Sequence, residues 1–349
     1  IEKRRTFAII SHPDAGKTTL TEKFLLYGGA INLAGSVKGK ATARHAVSDW
    51  MEIEKERGIS VTSSVLQFNY GGYCINILDT PGHQDFSEDT YRTLMAADSA
   101  VMVIDASKGV EAQTRKLFKV CVMRHIPIFT FINKLDREAK DTFELLDDIE
   151  KELGIATCPI NWPIGSGKEF KGVYDRAKRE VELFSDTKKG TAMGEVKMIP
   201  IDAPETEELI GSDAKDILAD EIELLDGAAA EFDQELVDKG QLSPVFFGSA
   251  LTNFGVETFL KHFLKMTTSP LPRKSDHGEI DPMTEKDFSA FVFKIQANMN
   301  KAHRDRIAFM RICSGEFEAG MSVYHVQGGK DVRLSQPQQM MASERKMID

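Results

Sequence analysis

The chain has 349 residues, of which 42% are hydrophobic and 28% are charged, and its formal net charge is −10 at neutral pH. This length and composition are typical of a soluble globular protein with two domains. No apolar run approaches the roughly 20 residues of a membrane helix, and residues 1–10 lack the apolar stretch of a signal peptide. The cysteines stand apart from one another, which is typical of reduced thiols, so we predict a cytoplasmic protein with no membrane contact.

The negative charge is concentrated in one segment. Residues 202–238 contain 14 acidic residues and one basic residue, Lys215, so the rest of the chain has 43 basic against 40 acidic residues. A uniformly acidic surface would argue against a nucleic-acid partner, because nucleic-acid phosphates repel it. Here the acidity is confined to one segment, so the charge of the chain is compatible with a nucleic-acid partner.

Apolar runs alternate between strand and helix patterns over most of the chain. We predict strands at 6–10, 61–68, 73–78, 100–104, 128–132 and 245–247, and helices at 17–27, 113–124, 141–153 and 255–266. This alternation predicts the fold class α/β, with a doubly wound, mostly parallel sheet.

Residues 154–244 fit no step of this alternation, and we interpret them as an inserted α+β subdomain. The second half of the insertion has apolar residues at three- and four-residue spacing, which predicts one amphipathic helix. These residues are Leu218, Ile222, Leu225, Ala229, Phe232 and Leu236. We expect this stripe to pack against the sheet and the acidic side of the helix to face solvent.

Two domains follow from this organisation. The first takes 1–275, with a core of 1–153 and 245–275 around the insertion at 154–244. Proline and glycine near its end indicate a linker, which we place at 276–286. Short strand patterns after the linker favour a small all-β barrel at 287–349, which we expect to be incomplete.

Four short segments, in one order along the chain, carry the candidate chemistry. The first, 11–18 (SHPDAGKT), follows a predicted strand and begins a predicted helix. Backbone N–H groups of such a loop bind phosphate oxygens, Lys17 neutralises the β- and γ-phosphates, and the Thr18 hydroxyl binds magnesium. The predicted phosphate-binding residues are Asp14, Ala15, Gly16, Lys17, Thr18, Thr19 and, from the second segment, Gly82.

The second segment is 79–83 (DTPGH). Asp79 follows an apolar strand and can hold magnesium through water, and the N–H of Gly82 can contact the γ-phosphate because glycine has no side chain to block it. His83 can orient the attacking water, since histidine titrates near neutral pH; the alternative is a capping or core histidine. No arginine is obviously placed as an internal finger, so we predict slow intrinsic hydrolysis and an external activator.

The third and fourth segments, 133–136 (NKLD) and 248–250 (GSA), point to guanine. The Asp136 carboxylate can accept hydrogen bonds from guanine N1–H and the 2-amino group, and adenine offers no such pair. Lys134 can lie across the base, Asn133 can tie this loop to the phosphate loop, and the N–H groups of Ser249 and Ala250 can contact O6. The four segments together predict a P-loop GTPase fold and a GTP-binding switch, and Asp136 disfavours an ATP-using enzyme.

These motifs resemble those of the translational GTPases, which act on the ribosome. The stretches that carry this resemblance are 14–19 (DAGKTT), 57–60 (RGIS) and 79–83 (DTPGH). Within that family, the chain is most similar to the bacterial GTP-binding peptide chain release factors (release factor three). The stretches that favour them are 11–14 (SHPD), 48–51 (SDWM), 85–92 (DFSEDTYR), 162–165 (WPIG) and 292–299 (VFKIQANM).

The resemblance implies residue roles that the motifs alone do not. It implies that Ser60 completes the magnesium shell, although most relatives have threonine there and Thr62 is the alternative. It also implies a monovalent cation near Asp14. Finally, it implies that Pro13 and Ile59 form an apolar gate through which the catalytic histidine moves.

The function implied by the resemblance is a ribosome-stimulated GTPase that removes class I peptide chain release factors from the ribosome after peptide release. The implied cofactors are Mg²⁺ and GTP or GDP. The implied partners are the sarcin–ricin loop of ribosomal RNA, the stalk proteins and the class I factors. The acidic face with Asp216, Asp220 and Glu223 would meet the stalk, or else serve solubility alone. We expect a monomer and a further domain beyond the barrel.

Two alternatives stay open. A related factor of the same family could act as an elongation-factor-G-like translocase or as a ribosomal protection factor. A guanine-nucleotide sensor belongs to a different class, because it acts by binding alone, for example to guanosine tetraphosphate. Such a sensor would not need His83.

Overall fold

The computed structural model describes residues 1–29, 64–80, 87–184, 196–297, 306–335, 338–341 and 344–347. The strands are β1 (Arg4–Ser11), β2 (Ser64–Tyr70), β3 (Tyr73–Asp79), β4 (Ser99–Asp105), β5 (Ile128–Asn133), β6 (Ala156–Pro159), β7 (Asn161–Ile164), β8 (Gly172–Asp175), β9 (Glu180–Phe184), β10 (Val196–Pro200), β11 (Leu242–Phe247), β12 (Arg273–Ser275), β13 (Gly278–Ile280), β14 (Ser289–Ala297), β15 (Arg306–Ser314), β16 (Ser322–His325), β17 (Lys330–Arg333), β18 (Gln338–Met341) and β19 (Glu344–Met347). The helices are α1 (Lys17–Tyr27), α2 (Ser87–Met95), α3 (Ala112–Met123), α4 (Thr142–Leu153), α5 (Pro204–Ile210), α6 (Ser212–Ala228), α7 (Gln234–Asp238) and α8 (Val256–Met266).

A seven-stranded sheet forms the centre of the first domain, in the order β2-β3-β1-β4-β5-β11-β6. β2 and β3 form an antiparallel hairpin, and all other neighbours in this sheet pair in parallel. β4, β5 and β11 are buried along their whole length. Such strands need cover on both faces, which the helices provide. The structure confirms the predicted α/β class with a mostly parallel sheet.

Successive residues of the central strands point into two different cores. Met102 and Ile104 of β4 lie in the cluster that includes side chains of α3 and α4, whereas Val101 and Val103 lie in the cluster that includes side chains of α1 and α8. This period of two is the geometry of a strand. Because β1, β3, β4, β5 and β11 run in parallel, the loops that follow them all open at one edge of the sheet. Ligands bind at this edge in open α/β sheets.

The sheet extends into the range that the sequence assigned to the insertion. β6 pairs in parallel with β11, with Ala156 opposite Leu242 and Thr157 opposite Ser243. The strand went unrecognised because it has four residues and no run of apolar side chains. The inserted part is a second, antiparallel sheet in the order β10-β9-β8-β7, together with α5, α6 and α7.

The prediction of one amphipathic helix in the insertion is wrong beyond Ala228. Ala229 is extended, with φ −76° and ψ 147°, and ends α6. Asp233 then begins the short helix α7, and its side chain accepts a hydrogen bond from the N–H of Leu236 at 3.2 Å. This capping interaction competes with helix continuation. As a result Phe232 and Leu236 are 41% and 38% exposed and do not extend the core stripe.

The second domain is built of antiparallel hairpins, which confirms an all-β unit after the GTPase-type domain. β14 pairs with β15, β16 with β17, and β18 with β19. In the stretches of the chain that the structure describes, these hairpins are separate two-stranded sheets and do not close a barrel. The hairpin of β12 and β13 occupies part of the predicted linker, since its turn lies between residues 275 and 278. No helix in the described residues is long and apolar enough to cross a membrane.

Candidate guanine-nucleotide site

The loop between β1 and α1 has the backbone that phosphate binding requires. Asp14 and Gly16 adopt positive φ angles of 67° and 100°. A Cβ atom on Gly16 would lie 2.2 Å from Nδ2 of Asn133, so only glycine fits there. Lys17 and Thr18 begin α1 and are buried. The helix therefore starts directly beneath the loop, where its N–H groups and dipole favour an anion.

Asn133 joins the loops that the sequence assigned to phosphate and to guanine. Its Nδ2 donates to the carbonyl oxygen of Ala15 at 2.9 Å, and its Oδ1 accepts from the N–H of Ala250 at 2.8 Å. The side chain is 2% exposed. Three of the four predicted segments thus meet at one buried amide at the end of β5.

Lys134 makes a second connection to the phosphate loop. Its Nζ donates to the carbonyl oxygen of Asp14 and to Oδ2 of Asp105, the latter at 2.8 Å. The Lys134 backbone has φ 72°, an uncommon value for a residue other than glycine. This conformation directs the side chain back towards the phosphate loop.

The side chain of Asp136 is oriented by the fourth segment. The hydroxyl of Ser249 donates to Oδ1 of Asp136 at 2.6 Å, and the N–H of Leu135 donates to the carbonyl oxygen of Gly248 at 3.3 Å. Two loops from neighbouring strands, β5 and β11, therefore fix the carboxylate. A carboxylate held in this way can accept two hydrogen bonds from one edge of a base.

Thr18 and Asp79 are the two described positions at which the sequence predicts magnesium ligands. Thr18 places its hydroxyl in the first turn of α1, and Asp79 is the last residue of β3, opposite Ile9 of β1. The next residue, Thr80, donates its hydroxyl to the carbonyl oxygen of Ile9 at 2.5 Å, which ties the end of β3 to β1. Hydroxyl and carboxylate oxygens are ligands that Mg²⁺ prefers, so the donor set fits this ion.

Several predicted site residues lie outside the described residues, namely Ile59, Ser60, Thr62, Gly82 and His83. Their roles stay predictions. For Asp79 the backbone is described and the side chain is not. Pro13, the other predicted gate residue, is half-buried in the phosphate loop, and Thr19 is half-buried in the first turn of α1.

Asp105 is a site residue that the sequence analysis missed. It ends β4 at the same edge of the sheet and is buried beside Lys134. Burial acts to raise the pKa of Asp105, but hydrogen bonds from Lys134 and Ser107 outweigh it and hold the pKa below its ordinary value. The signal was available, because Asp105 follows an apolar strand as Asp79 does. Because Asp105 lies in none of the four segments, the sequence analysis gave it no role in the site.

Family comparisons agree with this geometry. The model of the elongation factor Tu GTP-binding domain matches residues 2–269, and the model of elongation factor G domain 2 matches residues 287–349. The chain belongs to the translational GTPases. These two matches also explain why an all-β unit follows the nucleotide-binding unit in this translational GTPase.

The translational GTPase is similar over all its residues to proteins named peptide chain release factor 3. The identity is 65% with the protein of Symbiobacterium thermophilum, 57% with that of a Cyanothece species and 58% with that of Synechococcus elongatus. The chain spans 66%, 64% and 63% of the length of these relatives. A crystal structure from Thermus thermophilus shares the fold, with a TM-score of 0.77 and 24% identity over 99% of this chain and 50% of that one.

Proposed function

We propose that this chain is the nucleotide-binding part of a translation-termination GTPase. It binds GTP, hydrolyses it on the ribosome, and uses the cycle to dissociate class I release factors after the peptide has left. The observation that carries the proposal is the buried amide of Asn133, which joins the phosphate loop to both guanine segments. The similarity of the whole chain to release factors 3 supports the termination role. We assign the protein to the cytoplasm as a monomer.

Guanine selectivity rests on Asp136 and Lys134. The Asp136 carboxylate, fixed by Ser249, accepts from N1–H and the 2-amino group of guanine. The stem of Lys134 lies across the base. The N–H groups predicted to contact O6 already have acceptors, since Ser249 donates to the carbonyl oxygen of Phe254 at 3.0 Å and Ala250 donates to Oδ1 of Asn133 at 2.8 Å. Either N–H would therefore share its hydrogen bond with O6. Adenine would leave the partly buried carboxylate of Asp136 without these two donors, and an unsatisfied buried acceptor costs about 1–3 kcal/mol, or more for a charged group.

Phosphate binding rests on the loop from Asp14 to Gly16 and on the first turn of α1, from Lys17 to Thr19. Lys17 offsets the charge of the β- and γ-phosphates. Thr18, Asp79 and Ser60 would hold Mg²⁺, which when bound stabilises charge on the β- and γ-phosphates. We assign a monovalent cation to the neighbourhood of Asp14, a loop residue whose side chain is exposed.

Hydrolysis rests on His83, which orients the attacking water and shares the contact to the γ-phosphate region with the N–H of Gly82. Pro13 and Ile59 form the gate that controls its approach. The sarcin–ricin loop of ribosomal RNA positions His83 and so supplies the activation that an arginine finger supplies in other GTPases. Arginine fingers raise the turnover rate of other GTPases by about 10³–10⁵, so we expect an external activator to raise it by a comparable factor.

The insertion supplies a surface for the ribosomal stalk. Asp216, Asp220 and Glu223 are exposed on α6, and Ile217 and Leu224 are 60% and 58% exposed on the same helix. Apolar side chains flanked by carboxylates suit a partner that presents basic residues around an apolar centre.

The stalk contact is tested by reversing three charges on α6, with Asp216→Lys, Asp220→Lys and Glu223→Lys in one protein. Ribosome-stimulated GTP turnover should fall several-fold at low salt, and the difference should shrink as salt rises. A control with three reversals elsewhere in the acidic segment, at Asp202, Glu231 and Glu235, should turn over normally. Equal turnover by both variants at low salt would show that the face serves solubility alone.

The termination role is tested by release of a class I factor. Ribosomes that have released their peptide and still hold a labelled class I factor are mixed with the full-length protein and GTP. Rapid dissociation of the label, absent with GDP or with the His83→Ala variant, is the expected result. GTP turnover without dissociation would assign the protein to translocation or ribosomal protection. Dissociation that persists in His83→Ala would assign it to sensing by binding alone, for which guanosine tetraphosphate is the ligand to compare.

A further inference from the structure

Asp105 is held rigidly by its own turn. Its Oδ1 accepts hydrogen bonds from the N–H of Ser107 at 2.9 Å and from the Ser107 hydroxyl at 2.7 Å. Its side chain is 4% exposed. Because Ser107 occupies one carboxylate oxygen, the other oxygen, Oδ2, is directed at a fixed point. Nζ of Lys134 lies there, at 2.8 Å.

The Lys134 ammonium therefore lies between two acceptors from different elements. One is Oδ2 of Asp105 at the end of β4, and the other is the carbonyl oxygen of Asp14 in the phosphate loop. A lysine side chain loses conformational entropy when it is ordered. The two contacts order the Lys134 side chain between the two loops.

Removing the carboxylate would change this arrangement more than removing a surface ion pair. The Lys134 side chain is 17% exposed, so water replaces a lost partner only in part. The carbonyl of Asp14 would remain as an acceptor, but it carries no charge to offset the ammonium. We therefore expect Lys134 to leave its position when Asp105 is neutralised.

We propose that Asp105 is a positioning residue for guanine-nucleotide binding, which acts by holding the Lys134 ammonium so that the guanine loop and the phosphate loop are joined. The proposal rests on the proposed function, since it assumes that this site binds GTP and GDP. It is independent of the Asn133 connection, which uses a neutral amide. A preorganised site binds more tightly because less ordering remains to be done on binding.

The test is the Asp105→Asn variant of the full-length protein, which keeps an acceptor for Ser107 and removes the charge. The dissociation constants of GDP and GTP should both rise about tenfold, mostly through faster dissociation, as expected for loss of a charged hydrogen bond. In ribosome-stimulated turnover KM should rise while kcat stays unchanged, because Asp105 does not touch the reacting atoms. Asp147→Asn, in the exposed pair with Lys151, is the matched control and should bind as the wild type does.

A double-variant cycle shows whether Asp105 acts through Lys134. In a Lys134→Met background, Asp105→Asn should weaken nucleotide binding by less than about twofold, since the partner is already gone. An undiminished tenfold effect in that background would overturn the proposal, as would wild-type affinity in the single variant. If Asp105→Asn does not fold, Ser107→Ala carries the test, with an expected rise of about threefold from the lost hydroxyl contact. Wild-type affinity of Ser107→Ala would then overturn the proposal, whereas a wild type that binds no guanine nucleotide would refute the proposed function itself.

Discussion

At the scale of single residues, base selectivity depends on one carboxylate. Ser249 fixes Oδ1 of Asp136, and the other oxygen is directed away from that contact. We predict that Asp136→Asn weakens GTP binding by about 3 kcal/mol, or more than about 100-fold, because an amide cannot accept from both guanine donors. Xanthosine triphosphate carries a carbonyl oxygen in place of the 2-amino group, so the same variant should bind it more tightly than the wild type does. Competition with a fluorescent nucleotide measures both changes.

The control for this exchange is Glu138→Gln, which removes an exposed carboxylate two residues further along the chain. It should leave both affinities unchanged. A variant at Asp136 that loses GTP without gaining xanthosine triphosphate would indicate damage to the loop and would contradict the assigned role in base reading.

Some contacts of individual site residues could be predicted from the sequence, and others could not. The contact of Asn133 with the phosphate loop was predicted from the motif, and the structure has it. The hydrogen bond between Asp136 and Ser249 was not predicted, because it depends on the approach of loops from β5 and β11. Asp105 was missed although it follows an apolar strand, because it lies in none of the four segments. The motifs identify residues that would touch a ligand. Which residues hold those side chains in place depends on which strands are neighbours in the sheet.

At the scale of elements, the inserted sheet is fastened to α8 by buried polar groups. The hydroxyl of Thr258 on α8 donates to Oε2 of Glu182 on β9, and Nε2 of His262 lies 3.0 Å from Oδ2 of Asp175 on β8. Burial raises the pKa of Glu182 to about 7; the hydrogen bond from Thr258 opposes this rise, and the charges of Asp175 and Glu257 add to it. This contact should therefore respond to pH near neutrality.

We predict that Glu182→Gln removes a pH dependence of stability. A raised pKa means that the folded state binds the proton more tightly than the unfolded state does. The resulting stabilisation is complete below the ordinary pKa of 4.5 and is lost as the pH rises through about 7. The free energy of unfolding of the wild type should fall relative to the variant by about 3 kcal/mol at most between pH 4.5 and pH 8, since one pKa unit corresponds to ~1.4 kcal/mol.

Urea unfolding of both proteins across this pH range measures the difference. Subtracting the variant removes every other titrating group that the two proteins share. A difference that stays constant with pH would contradict the assignment of Glu182 as the titrating group.

The elements also mark how far the fold could be derived from the sequence. The central strands were predicted from apolar runs, and α3, α4 and α8 from apolar residues on one face. α1 was predicted from its place after the phosphate loop, because it is buried on nearly all sides and has no apolar stripe. The break after α6 was not predicted, because the apolar spacing continues in the sequence through Leu236. In the structure Ala229 is extended and Asp233 caps a new helix, α7. The edge strand β6 was not predicted, because its four residues are too few to show a period of two. Only its pairing with β11 defines it as a strand.

At the scale of the whole molecule, one buried carboxylate connects the two domains. Asp98, between α2 and β4, is fully buried, and its two oxygens lie 3.1 and 2.8 Å from a guanidinium nitrogen of Arg311 on β15. Arg273 donates to the same carboxylate at 3.2 Å. Both arginines also donate to carbonyl oxygens at the end of α2, which belong to Met95, Ala96 and Ala97. The β domain thus holds the C-terminal end of α2, where a helix favours positive charge.

We predict that Arg311→Met loosens the second domain without affecting nucleotide binding. Removing one partner of a buried ion pair costs about 3–5 kcal/mol, and here Arg273 remains to offset part of that cost. Limited trypsin digestion should cleave the variant faster at Lys286, between the domains, and GDP should bind as before. Arg306→Met, at the exposed start of β15, is the control and should be cleaved at the wild-type rate. Equal digestion of both variants would show that the Asp98 contact does not hold the domains together.

The proposed function requires a GTPase site that the ribosome activates. Multiple-turnover GTP hydrolysis by the full-length protein, with and without ribosomes, tests it most directly, with His83→Ala measured in parallel. We predict slow GTP turnover without ribosomes and stimulation of turnover by about 10³ or more with them. The His83→Ala variant should lose this stimulation and keep the GTP affinity of the wild type. Turnover that is equal with and without ribosomes, or stimulation that survives in His83→Ala, would contradict it.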